Sequence, residues 1–429
     1  MPNLLQRKNI HYAWIVFVIT FAVLLSTAGI RSTPSIFIVP LQNEFGWTRE
    51  TVSIGASLNI LFFGLVGPFA AAMMNYYGIR KVMITSLIIT PIGIILSLFM
   101  KAPWEFALTW GVIVGTGTGM SSVVLGATVV NRWFHAKRGV VLGALTAANA
   151  TGQLLFLPFM AYSTEHHGWR FTCFAILCFL ALIFPIVVLF MRNCPQKMGL
   201  NPYGLTGELT LSGTADKKKQ NPFAETFGSL FVGLRSIDFW LLCGSFFVCG
   251  ASTNGLVGTH LVPACMDQGI PEVQAASLLA LMGIFDLFGT TGSGWLSDRF
   301  DNRKLLFCYY GLRGLALMYL PEGFALYHSG GLAIFSVFYG LDWIATVPPT
   351  VGLASKIFGK DKAALMFGWI MVAHQIGASC AAYFAGYLRT MEGNYTSAFI
   401  IAGSMCIVTA FGVLFVGRNL PKQNFAQNP

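Results

Sequence analysis

The chain is poor in charge. Asp, Glu, Lys and Arg make up 10% of its 429 residues, where a soluble domain carries about a quarter. Apolar residues make up 55%. That balance excludes an ordinary soluble fold with a charged surface. The usual signatures of chemistry are also missing. There is no CxxC or HExxH, no phosphate-cradling loop and no nucleophile–base pattern. The chain is therefore not read as an enzyme, and no cofactor or metal is expected. No filter-like loop suggests a channel, and no signalling domain is attached. The nine cysteines are odd in number and fall mostly within apolar runs. They read as small packing residues rather than a disulfide set. The first apolar run is too long for a cleaved signal peptide and has no A-x-A-like site, so it is kept as a helix.

What is present is twelve long apolar runs: 11–39, 49–75, 79–100, 103–131, 137–165, 168–192, 237–266, 272–298, 303–322, 328–358, 362–390 and 394–417. About 20 apolar residues suffice for a helix to cross the hydrocarbon core. Only helices and closed barrels satisfy their backbone there, and these runs are far longer than the roughly ten-residue strands of a barrel. The expected fold is an all-α integral membrane protein. Short basic loops fall at nearly every second gap, and most of the 27 Lys and Arg lie on one side. The positive-inside rule makes that side cytoplasmic, with both termini there. The net charge of +10 then reflects topology. Charge dispersed over short loops does not suit nucleic acid.

The longest polar interval, 193–235, divides the chain into an N-terminal half, 1–192, and a C-terminal half, 236–429. It contains the Lys217–Lys219 run and is solvated. Its last part, before Asp238, could form a short amphipathic helix on the inner membrane surface. The halves echo each other. Gly294-Trp295-Leu296-Ser297-Asp298-Arg299-Phe300-Asp301-Asn302-Arg303-Lys304 follows span eight. A stretch from Gly67 to Lys81, ending Gly78-Ile79-Arg80-Lys81, follows span two. Two parallel six-helix repeats are how many transporters build a midplane site.

The Gly294–Lys304 loop resembles the signature of the major facilitator superfamily, with Asp301 where Gly is usual. In the first-half copy Asn75 and Tyr76 stand where Asp and Arg are expected. The resemblance spans the whole chain and implies twelve transmembrane helices in two pseudo-symmetric halves. A narrower resemblance is to monocarboxylate transporters. It rests on Arg132-Trp133-Phe134-His135-Ala136-Lys137-Arg138-Gly139 with Gly143, Ala147, Ala148, Gly152 and Gln153, on Arg31 through Val39 to Glu44-Phe45-Gly46-Trp47, and on Asp286. Those transporters usually carry an Arg one turn after that Asp. Here the position is Thr290, so their chief anion anchor is missing from its usual place.

Ionisable residues at membrane depth each cost about 2.5–3.5 kcal/mol on insertion scales. The set here is Arg31, Asp286, Arg313, Asp342 and His374, with His260 near the outer end of span seven. At about 1.5 Å per residue, Asp286 and Arg313 sit at roughly 18 and 14 Å above the inner loop. An Asp286–Arg313 ion pair is expected, either as a fixed strut or as a protonation switch. Asp342 could pair with Arg313 instead. It precedes Pro348-Pro349, which should bend span ten, and it could cap freed backbone or carry a proton. Asp286 and Asp342 are thus the proton-coupling candidates.

Arg31 is the candidate anion-attracting charge, because a guanidinium bonds both carboxylate oxygens. Asn149, Gln153, Arg313, His374 and Gln375 are further substrate candidates, and Asn59, Asn254, Ser121 and Ser122 could line a cavity. Each could equally bond a neighbouring helix. Asp298, Arg299, Arg303, Arg132, Lys137 and Arg138 are inner-gate candidates, and His260 an outer-gate candidate.

The function expected is proton-coupled symport of a small organic anion, monocarboxylate-like, by alternating access in a plasma (inner) membrane. The partners are the anion, a proton and the lipid bilayer, with no nucleic acid, and the protein is expected to be a monomer. A carboxylate exchanger resembling oxalate–formate antiporters, or a proton-coupled drug exporter, stays open as an alternative.

Overall fold

The computed structural model describes residues 11–205, 222–326 and 330–418. Lys217–Lys219 and the extreme termini lie outside the described residues. Among the described residues there are twelve long helical rods. The first six are α1 (Tyr12–Phe45), α2 (Arg49–Tyr77), α3 (Ile79–Ser97), α4 (Pro103–Trp133), α5 (Arg138–His167) and α6 (Trp169–Phe190). The last six are α7 (Ile237–Asp267), α8 (Glu272–Ser297), α9 (Asn302–Ala325), α10 (Gly331–Phe358), α11 (Lys360–Glu392) and α12 (Thr396–Gly412). They coincide with the twelve expected runs to within several residues at each end. Ten are long and apolar enough to cross a membrane on composition alone. The other two, α5 and α9, are 30 and 24 residues long but richer in polar residues. Large apolar side chains such as Leu182, Phe384 and Val408 point outward, as lipid-facing positions require.

The rods are packed by small residues. A side-chain carbon added at Gly115 or Gly119 of α4 would meet α2 backbone at 2.8 Å, and one at Gly250 of α7 would collide with the His374 carbonyl of α11. Such contacts let backbones touch where no water competes for their polar groups. Between the first six rods and the last six, α2 lies along α11 and α5 along α8, while α1 meets the last turns of α7.

Three rods depart from regular helix. Both α4 and α7 carry a π-helical stretch, Ala107–Val114 and Ala251–Val257, a distortion often found at functional sites. In α4 a second interruption falls at Ser121–Ser122, and in α10 the helix breaks over residues 343–346, just before Pro348-Pro349. The fourth rod of each set of six is therefore broken.

A short helix, Pro222–Leu234, precedes α7, where the sequence suggested one. Its Phe227 ring lies 5.9 Å from Phe69 of α2 and 6.0 Å from Trp369 of α11. Tyr203 bonds by its backbone to the α4–α5 loop, donating to the Trp133 carbonyl and accepting from His135 and Ala136.

Candidate functional site

The break in α10 gathers the buried charges. Prolines 348 and 349 have no N–H to donate, so the helix ladder fails just before them. Arg313 of α9 spans the gap. Its Nε donates to Asp342 Oδ2 at 2.6 Å, and its Nη2 donates to the Asp342 and Trp343 carbonyls at 2.6 and 3.3 Å. Its Nη1 donates to Cys249 Sγ at 2.9 Å. From α8, Asp286 Oδ1 accepts the Ile344 N–H at 3.0 Å and Ser293 donates to the Ala345 carbonyl. Backbone left unbonded at membrane depth is costly; here two neighbouring rods, α8 and α9, bond it.

This corrects the expected Asp286–Arg313 pair. The two residues are at similar depth, but each bonds a different part of the α10 break. Thr290 also finds its reason: its hydroxyl donates to Asp286 Oδ1 at 2.8 Å, where a monocarboxylate transporter would usually place a cation. The corresponding break in α4 is bonded without charge. Ser86 of α3 donates to the Gly117 carbonyl at 2.6 Å and accepts from Ser121 at 2.8 Å.

A cavity opens between the two sets of six. It is lined by Arg31, Ser32, Pro34 and Ser35 of α1, by Ala56, Asn59 and Ile60 of α2, by Asn254, Gly258 and Thr259 of α7, and by Gln375 of α11. Its empty space, open mouth included, is about 420 Å³. Arg31 lies with its guanidinium carbon 5.0 Å from the centre of the Phe63 ring. Among the described residues no carboxylate comes within ion-pair distance of it. The structure thus brings Arg31 and Gln375 together. It does not place Arg313 on this cavity: that side chain is 1% exposed, and its donors are taken by protein. His374 packs instead beside Phe246, with ring centroids 5.8 Å apart. The side chains of Asn149 and Gln153 lie outside the described residues.

One end of the molecule is tied shut. Arg49 at the start of α2 and Arg389 near the end of α11 both donate to Asp267 at the end of α7, at 3.2 and 2.7 Å. Arg49 also donates to the Tyr395 hydroxyl at 3.2 Å. That hydroxyl donates to His260 Nδ1 at 3.1 Å, because His260 Nε2 must donate to the Ala382 carbonyl at 2.7 Å. Tyr383 donates to Glu50, and Ser57 bonds Ser379. His260 therefore touches the Arg49 tie only through Tyr395 among the described residues. Sequence reasoning missed Arg49, Asp267 and Tyr395; the only signal for Arg49 and Asp267 was charge at rod ends on the less basic side, and Tyr395 gave none.

At the opposite, basic end the following bonds each stay within one set of six. Arg132 donates to the Met74 carbonyl and to Asn75 Oδ1, so the altered first-half copy is held by a neutral acceptor. Arg138 donates to the Phe134 carbonyl, and Lys137 sits at φ 59° before α5. Arg299 covers the Trp295 ring, and Asp298 is exposed. Arg303 pairs with Asp301 at 2.8 Å, and Asp301 caps the first turn of α9. The bonds from Arg303 hold the Asp301 carboxyl below the usual carboxylate range.

The family model described as Major Facilitator Superfamily matches residues 17–341 and 241–428. The chain belongs to the major facilitator superfamily. Within it, the chain is 25% identical over 446 residues to Monocarboxylate transporter 12-B of Danio rerio, covering 97% of this chain and 91% of that one. It is 24% identical over 407 residues to the uncharacterized MFS-type transporter YcxA of Bacillus subtilis (strain 168), covering 94% of each. Among solved major facilitator structures, a D-xylose-proton symporter superposes with a TM-score of 0.70 at 16% identity over 95% of this chain and 98% of that one. The inward open xylose transporter XylE of E. coli gives 0.69 at 14% identity, covering 96% and 98%. These likenesses establish the fold. The protein is a multi-pass membrane transporter and not an enzyme.

Proposed function

We propose that the protein carries a small organic anion, together with a proton, by alternating access. The observation that carries the reading is Arg31: a cation without an ion-pair partner among the described residues, on the wall of a polar cavity between the two sets of six rods. A cation kept in a low-dielectric site is tolerated when its partner is a ligand, and a guanidinium suits a carboxylate. The similarity to proteins named as monocarboxylate transporters supports that ligand class. The basic end faces the cytoplasm, and the tied end, around Asp267, faces outward. Rocking of the two sets about α2–α11 and α5–α8 would expose the cavity to each side in turn.

Asp286 is the proton carrier in this reading. Its carboxylate accepts the Ile344 N–H at the α10 break, so protonation would loosen the break while neutralising a charge. The exchanger reading has one observation in its favour: Asp286 and Asp342 both have structural bonds already. Purified protein in liposomes separates the two. Radiolabelled lactate, pyruvate, acetate and glycolate are offered with and without an imposed pH gradient. Symport predicts accumulation driven by the gradient. Counterflow that ignores the gradient assigns exchange, and uptake of no acid removes the anion reading.

A further inference from the structure

The hydrogen-bond inventory of the cavity says more about the ligand than its charge does. Asn59 is 1% exposed. Its Nδ2 donates to the Trp110 carbonyl at 2.6 Å, in the π-helical stretch of α4. Only the nitrogen of an amide can donate to a carbonyl, so this bond fixes the orientation of the side chain. Asn59 Oδ1 is thereby an acceptor by necessity, and among the described residues it has no hydrogen-bond partner. Gln375, on α11, is 3% exposed, and its Oε1 likewise has no partner among the described residues. Its Cβ and Cγ lie against Gly64 of α2, where an added side-chain carbon would come within 2.3 Å. That contact leaves the Gln375 stem little room to swing away.

The hydroxyls around the same cavity point to the same conclusion. Ser35 gives its proton to the Ser32 carbonyl at 2.7 Å, and Thr259 gives its own to the Asn254 carbonyl at 2.8 Å. A hydroxyl that has donated can still accept. The wall therefore combines one cationic donor, Arg31, with Asn59, Gln375, Ser35 and Thr259, each of which can accept.

We infer that the cavity selects a hydroxylated monocarboxylate, with the carboxylate on Arg31 and a ligand hydroxyl donating its one proton to Asn59 Oδ1 while its oxygen accepts from the Gln375 amide. This deepens, and rests on, the anion reading above. An unsubstituted acid would satisfy Arg31 and leave the acceptors bare. A keto acid can accept from the Gln375 amide but brings no proton for Asn59 Oδ1. A dicarboxylate brings a second charge for which the described cavity wall supplies no second cation. A site built to bond a hydroxyl discriminates strongly against the analogue without one, because its own polar groups are then stranded.

The test is ligand-induced stabilisation of the full-length protein in nanodiscs, titrated with matched acids. The pairs are lactate with propionate, glycolate with acetate, and 3-hydroxybutyrate with butyrate, with pyruvate and malonate as further probes. Apparent affinity follows from the shift in unfolding temperature with concentration. Each hydroxy acid is expected to bind about tenfold tighter than its partner, the size of one buried neutral hydrogen bond. Pyruvate should bind more weakly than lactate, and malonate more weakly still. Asn59→Leu and, separately, Gln375→Met should shrink the hydroxy/deoxy ratio to within about twofold, on the same reasoning. Equal binding within the wild-type pairs overturns the inference while leaving the anion reading standing. So does a ratio that survives both substitutions. Binding of no acid, with Arg31→Gln changing nothing, overturns both.

Discussion

Arg313 Nε lies 2.6 Å from Asp342 Oδ2, and the same guanidinium bonds the carbonyl of Asp342 itself. One cation thus bonds both the side chain and the backbone of a residue at the edge of a broken helix. The partner charge is part of the helix being repaired, so ion pair and backbone repair cannot be separated. Removing Asp342 alone would strand a cation that is 1% exposed. Asp342→Asn is expected to destabilise the protein by about 3–5 kcal/mol, the usual cost of breaking a buried pair from one side. Arg313→Gln with Asp342→Asn should recover part of that. Thermal unfolding in detergent measures both, and a double variant no more stable than the single refutes the strut.

At Asp286 the structural and proton roles can be separated. An amide oxygen accepts from Ile344 N–H and Thr290 as well as a carboxylate does. Asp286→Asn should therefore unfold within a few degrees of wild type yet lose accumulation driven by a pH gradient, with counterflow retained. Asp286→Leu should unfold markedly earlier, since it leaves the Ile344 N–H bare. Gradient-driven accumulation by Asp286→Asn at the wild-type level would show that the proton travels elsewhere.

Among the described residues Arg31 has no ion pair to lose. Arg31→Gln is expected to leave the unfolding temperature unchanged or slightly raised and to weaken acid binding by about a hundredfold, the lower end of what a charge-assisted bidentate contact supplies. Titration of lactate against the purified variant reads this, and wild-type affinity would exclude Arg31 as the anchor.

Asp267 holds one arginine from each set of six, Arg49 and Arg389. Asp267→Asn keeps hydrogen bonding but removes the charge that both guanidinium groups share. The two sets should part more often at that end. Spin labels placed at residues 47 and 269, on the loops preceding α2 and preceding α8, should show a longer-distance population by pulsed electron resonance. A distance distribution identical to wild type would mean that the α2–α11 packing alone keeps this end closed.

Asp301 occupies the place where the superfamily loop usually has glycine, and the structure supplies the reason. Its φ is −65°, so no glycine is needed, and its carboxylate caps α9 while pairing with Arg303. Because those bonds lower its pKa in the folded state, its contribution is present at neutral pH and fades as pH falls through and below the ordinary carboxylate range. Asp301→Ala should cost about 1 kcal/mol at neutral pH, the usual worth of a helix cap. The gap from wild type should close in acid. Unfolding curves at neutral and acidic pH test this; a gap independent of pH would assign the loss to something other than the carboxylate.

The twelve rods were legible because lipid leaves few options. A run of apolar residues long enough to span must be helical, and Pro348-Pro349 announced that α10 would break. The level of the buried charges was legible too, since rise per residue sets depth along a rod. Their partners were not. Depth says nothing of rotation about the rod or of which neighbour lies alongside, so Asp286 and Arg313 seemed paired when each in fact bonds a different part of α10. The tie from Arg49 to Asp267 joins residues 218 positions apart, and no local pattern encodes it.

By itself the sequence determined that this chain crosses a membrane twelve times as helices and that a handful of charges lie within, because burial of backbone and of charge is decided residue by residue. Only the tertiary structure decided which charges are spent on a broken helix and which one, Arg31, stays at the cavity without an ion pair among the described residues. That choice depends on the angle and proximity at which distant rods pack, and those are set by small residues such as Gly250 and Gly115 at their crossings.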